Sequence, residues 1–178
     1  MLSGRRRDTD PTLLLDVPAL LRAQVREVHD GLEAQLTAWA GALAEGATTR
    51  GSPVPALYLH GATVEDVAIH TLLLEQAPLF STAWSGTGLA RYAPTDVAPI
   101  RRYVEEVYAA TDAYLSALTV EAASRRVDLA RLSLGQPSVA WVVSHFVVLE
   151  LAHLSGELVN APHLPGATRH PCSDMYRL

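Results

Sequence analysis

The sequence predicts an all-α fold, a four-helix bundle with a long crossover connection. Three observations carry that expectation. Four segments repeat apolar residues at alternating three- and four-residue steps, the spacing of one helical face. Almost nothing alternates with the two-residue period of a strand. The chain has 178 residues, of which 49% are apolar, enough for one core and too few for two comfortable domains.

The first helix begins near Asp16 and Pro18, a cap followed by a helix-starting proline. Its stripe runs Leu21, Val25, Val28, Leu32, Leu36, Trp39 and Leu43, and Gly46 with the stretch 48–55 ends it. The second starts around Pro55 with a stripe of His60, Val64, Val67, Thr71 and Leu74, and stops at Pro78. The third follows Thr95 and Asp96 with Val97, Ile100, Val104, Val107, Thr111, Tyr114 and Leu118. The fourth opens at Ser138, a good capping residue, and runs to about Asn160. Its stripe is Val142, Phe146, Leu149, His153, Gly156 and Asn160. This segment is apolar nearly all round and is expected to be the most buried.

Two connections are long, 78–96 and 119–137. The first carries Trp84, Gly86, Gly88 and Tyr92 without periodicity, a composition suited to covering a pocket. The second is expected to hold a short polar helix within 121–131. Residues 1–15 read as an N-terminal tail, 16–163 as the bundle and 164–178 as a C-terminal tail.

Composition narrows the chemistry. A net charge of −5 argues against a nucleic-acid partner, which needs a concentrated basic face. The basic run Arg5-Arg6-Arg7 is followed at once by Asp8 and Asp10, and Asp16 and Pro18 interrupt the apolar stretch that a secretion signal would need. All 14 basic residues are arginine. Lysine Schiff-base chemistry and a phosphate loop with its lysine are therefore excluded. The single cysteine, Cys172, permits no internal disulfide and suggests a cytoplasmic protein. The most apolar run, 139–152, is broken by Ser144, His145 and Glu150, so no membrane span is expected.

Two histidines fall on predicted inward stripes of different helices, His60 and His153. Either one alone is more often a hydrogen-bonded core residue than a ligand. Two from separate helices are less ordinary, since inward histidines and carboxylates on facing helices are how bundles build metal sites. Glu150 stands three residues before His153 and Glu157 four after, both neighbouring positions on a helix surface. Histidine, glutamate and histidine would leave a coordination position open for water or substrate. His29, beside Asp30, is expected to be exposed, and His70, off the second stripe, to be at the surface or partly buried. The pattern Gly86-Thr87-Gly88 lacks the third glycine and the preceding strand of a dinucleotide loop.

Several segments resemble the DinB/YfiT-like metalloenzyme family. Residues 59–66 (Leu-His-Gly-Ala-Thr-Val-Glu-Asp) are similar to its second helix. Pro78-Leu79-Phe80 with Trp84 and Gly88 resembles the loop that follows, and 103–118 the third helix. His153-Leu154-Ser155-Gly156-Glu157 resembles the end of the last helix. The resemblance spans roughly residues 18–160. It implies a usually dimeric bundle holding a divalent metal (zinc, nickel or manganese) with one histidine from the second helix and a His-x-x-x-His on the fourth. Relatives of known activity include mycothiol- and bacillithiol-dependent transferases and maleylpyruvate isomerase.

The chain departs from that pattern at Leu149, where the first histidine of the pair would fall. Glu150 is the expected replacement, giving a metal set of His60, Glu150 and His153, with His145 or Glu157 as alternative replacements. His145 and Glu157 would then support it, with Trp84 and Tyr92 at the mouth. The expected function is a metal-dependent enzyme acting on a small molecule, such as S-transfer from a low-molecular-weight thiol. The alternative is a non-catalytic bundle with a degenerate site, binding a small ligand or acting as a dimeric interaction protein.

Overall fold

A computed structural model describes residues 16–44, 54–83 and 98–160. The described residues are mostly helical and contain no strand, so the fold is all-α. The helices are α1 (Val17–Ala44), α2 (Val54–Asp66), α3 (Leu79–Ala83), α4 (Ala98–Ala117), α5 (Val120–Ser124), α6 (Val139–Val142) and α7 (Glu150–Asn160). Two π-helical segments are spliced in. Val67–Leu73 extends α2, and Val143–Leu149 joins α6 to α7 into one long helix. One core unites α1, α2, α4 and that last helix, and the two π segments touch each other.

α1 and α4 follow the sequence closely. Leu21, Val25, Leu32 and Leu36 are buried on α1, and Ile100, Val104, Val107 and Thr111 on α4. Asp16 caps α1 through a hydrogen bond from Ala19 N (3.1 Å). On the outside, Arg22 and Arg26 reach across to Asp112 of α4. Hydrogen bonding from Arg26 holds the Asp112 carboxyl below its usual range. The connection 119–137 contains the short helix α5, capped by Thr119, and a single 3-10 turn, Ala130–Leu132. Gly135 takes a positive φ of 68° there, which a residue without a Cβ adopts at no steric cost.

The other two helices present different faces from those expected. On the second, Thr71 and Leu74 are exposed, while Leu57, Tyr58, Gly61, Glu65, Ile69 and Leu73 are buried. On the last, Val142 of the expected stripe is buried, but the buried line continues through Val139, Val143, Val147, Leu151, Leu154 and Leu158, whereas Leu149, His153 and Gly156 face solvent. The last helix is therefore one-sided rather than the most buried: 33% of Val139–Val159 is buried. By length and composition alone that stretch, with a mean hydropathy of 1.4, could cross a membrane.

The physical reason is the π segments. An α-helix turns about 100° per residue, so the three four-residue steps from Val139 to Leu151 would drift roughly 120° off the core. A π turn closes its hydrogen bonds from i to i+5 and takes up the surplus. The same four-residue step links Gly61, Glu65, Ile69 and Leu73 through the other π segment.

Candidate functional site

α2 and α7 approach closely at Gly61. A Cβ there would stand 2.9 Å from Leu151 Cδ2 and 3.0 Å from Leu154 Cδ1. The close seam brings the preceding residue, His60, to Glu150 at the start of α7, with Nε2 and Oε1 3.7 Å apart. The His60 side chain is 13% exposed and that of Glu150 32%, so the pair opens to solvent on its glutamate side.

His153, the third expected ligand, lies elsewhere. Its side chain is 66% exposed, and its Nε2 contacts Glu157 Oε1 one turn along the same helix at 3.2 Å. His145 is also exposed, its ring stacked on Trp141 with centroids 4.4 Å apart. The structure thus joins His60 to Glu150 and, separately, His153 to Glu157. Among the described residues no three His, Cys, Asp or Glu side chains gather as a metal-binding group. Trp84 and Tyr92 lie outside the described residues.

A metal needs two things that can be tested on this seam, donor chemistry and span. An imidazole nitrogen and a carboxylate oxygen are both suitable donors, with bonds near 2.0–2.2 Å. Their 3.7 Å separation is shorter than two such bonds end to end, about 4.2 Å, so one ion can reach both. The pair supplies two donors of a site, and among the described residues no third His, Cys, Asp or Glu joins them.

The densest polar cluster was not foreseen from sequence, and it contains His29, expected to be exposed, together with His70. His29 is buried on α1, and its Nε2 lies 3.1 and 3.0 Å from the two oxygens of Glu65, which is wholly buried on α2. The His29 ring lies flat on Tyr108 of α4, with centroids 3.5 Å apart. The next residue, Asp66, is equally buried. It accepts hydrogen bonds from Leu79 N (3.0 Å), Phe80 N (2.9 Å) and Tyr103 OH (2.8 Å). His70 Nδ1 sits 2.7 Å from its Oδ1, close but not aligned as a hydrogen bond. The three hydrogen bonds fill three of the roughly four acceptor sites of a carboxylate. Burial, reinforced by Asp66, pushes the Tyr103 hydroxyl pKa far up, so it stays a proton donor.

Toward the surface, Glu33 accepts a hydrogen bond from Tyr58 OH and faces Arg101 Nε at 3.9 Å. Burial raises the Glu33 carboxyl above its usual value against the opposing pull of Arg101. Glu65 binds α1 to α2, and Asp66 anchors the start of α3 and ties it to α4. Their chemistry is that of a hydrogen-bonded polar core.

The sequence did hold a signal for this cluster. Glu65 and Asp66 sit in an otherwise apolar helix, where buried carboxylates require partners. His29 lies four residues after Val25 and three before Leu32, on the buried stripe of α1. Comparison with known proteins finds no matching family model, curated relative or solved structure. The DinB/YfiT-like resemblance accordingly rests on the sequence motifs alone.

Proposed function

We propose that this chain is a DinB-like four-helix bundle with a long crossover that acts on a small molecule through a divalent metal held by His60 and Glu150. The observation that carries the reading is the 3.7 Å approach of those two donors across the α2–α7 seam. A bound zinc, nickel or manganese ion would supply Lewis acidity and would stabilise a coordinated thiolate at neutral pH. A low-molecular-weight thiol fits as substrate class, because the seam leaves open positions for a soft exogenous ligand. His60 contributes a mostly buried imidazole that fixes the inner side. Glu150 contributes the solvent-facing carboxylate on the side from which a small molecule arrives. His153 and Glu157 pair outside this centre and take no part in it.

Metal titration by calorimetry tests the reading. Wild-type protein should bind one zinc, nickel or manganese ion, His60→Ala and Glu150→Gln should each weaken it at least tenfold, and His153→Ala should leave it unchanged. No uptake of any of the three metals would overturn the proposal. The outward position of His153 and the exposed apolar face beside it favour a second reading, a dimeric interaction protein on the same fold with a degenerate site.

A further inference from the structure

Gly61 stands inside α2, where glycine weakens a helix relative to alanine. Its backbone does not need the freedom, since among the described glycines only Gly135 takes a positive φ. What requires a residue without a side chain is the opposite helix. A Cβ at 61 would meet Leu151 Cδ2 at 2.9 Å and Leu154 Cδ1 at 3.0 Å, whereas at Gly31 of α1 the nearest atom is 3.9 Å away. The two leucines are 0% and 1% exposed. Interiors are packed as densely as crystals of small molecules, so these side chains have no open space into which to retreat.

The proposed metal donors sit one residue before this contact on both helices. His60 precedes Gly61, and Glu150 precedes Leu151. A change of spacing at Gly61 therefore reaches the donor pair through almost no intervening chain. Bringing the added carbon from 2.9 Å out to an ordinary contact of 3.4–4 Å opens the seam by at least about 0.5 Å. His60 Nε2 and Glu150 Oε1 already stand 3.7 Å apart, and two donor bonds laid end to end reach only about 4.2 Å. The smallest possible side chain at 61 takes up that whole margin.

We infer that Gly61 is a positioning residue: its missing side chain sets the α2–α7 spacing that holds His60 and Glu150 within reach of one ion. The consequence for metal rests on the function proposed above, while the spacing is a property of the metal-free fold. The two can therefore be measured apart.

Zinc titration of the full chain by calorimetry should show Gly61→Ala weakening binding at least tenfold. Val107→Ala truncates a fully buried side chain on α4, on neither helix of the seam. It should lower Tm yet keep zinc affinity within twofold of wild type. Trimming the obstructing methyls by Leu151→Val and Leu154→Val in the Gly61→Ala background should recover zinc affinity even as Tm falls further, which a merely structural role for Gly61 would not produce. Crystal structures of the metal-free proteins should show the separation of His60 Nε2 from Glu150 Oε1 growing from 3.7 Å in wild type beyond about 4.2 Å in Gly61→Ala. An unchanged separation, or equal losses of zinc affinity in Gly61→Ala and Val107→Ala, would overturn the inference. Wild-type protein that binds no zinc, with a seam that still widens in Gly61→Ala, would support the spacing and overturn the metal reading.

Discussion

Replacing His29 by leucine should destabilise the fold severely, and replacing its partner as well should restore most of the loss. Glu65 is wholly enclosed, and both its oxygens lie within 3.1 Å of His29 Nε2. His29→Leu leaves an interior carboxylate facing hydrocarbon, and breaking such a buried pair costs about 3–5 kcal/mol. In a chain of 178 residues each kcal/mol shifts Tm by roughly 2–4 °C, so a drop of about 6–20 °C is expected. Glu65→Leu alone strands the imidazole against Tyr108 and should also destabilise, though less, because the neutral ring costs less to bury than a carboxylate. The double variant removes both polar groups and fills the space with side chains of similar size. Such exchanges are often neutral or stabilising. Urea unfolding followed by circular dichroism, taken through the full double-mutant cycle, should return a coupling of about 2 kcal/mol or more. Single losses below about 1 kcal/mol that simply add would refute the pairing and place Glu65 in contact with water.

Gly61→Val should lower stability by about 1–3 kcal/mol, read as a fall in Tm. Even the first added carbon would stand at 2.9–3.0 Å from two leucine methyls, on residues 0% and 1% exposed; an unchanged Tm would show that the seam can open freely. Glu33→Gln should alter the pH dependence of stability. Burial raises the Glu33 carboxyl above its usual range, so the folded state holds its proton more tightly than the unfolded chain. That contribution is fully present below about 4.5 and is lost as pH rises through the folded-state value. The glutamine variant should flatten this decline between pH 4 and 7 in urea titrations, and a slope identical to wild type would count against it.

The legibility of the fold tracks helix regularity. α1 and α4 are plain α-helices, and there the apolar spacing translates directly into burial, from Leu21 to Leu36 and from Ile100 to Thr111. α2 was legible as a helix but not by its face. Buried residues surround it almost completely, so several stripes fit equally well. The one avoiding Glu65 and Asp66 was the natural choice for charged residues without visible partners. Those partners, His29, Tyr103 and the amides of Leu79 and Phe80, come from three other elements, and no local pattern reveals them. His60 and Glu150 were legible as chemistry, and the structure brings them together; His153 was legible only as a residue type.

Register decides the rest. Reading the last helix from Val142 at ordinary α spacing puts Leu149, His153 and Gly156 inside. The π segment Val143–Leu149 turns that line outward and brings Val147, Leu151 and Leu154 in instead. One physical cause thus turns His153 to solvent, exposes Leu149, and creates the apolar outer face. The trace it leaves is the buried run Val139, Val143, Val147 and Leu151 at four-residue steps, with Val142 buried beside it. An α-helix cannot keep that line on one face for three turns. Where such a run appears in a helix that must pack, a π turn is the economical solution. Any histidine or carboxylate placed downstream by α counting will then sit about a third of a turn from its assumed position.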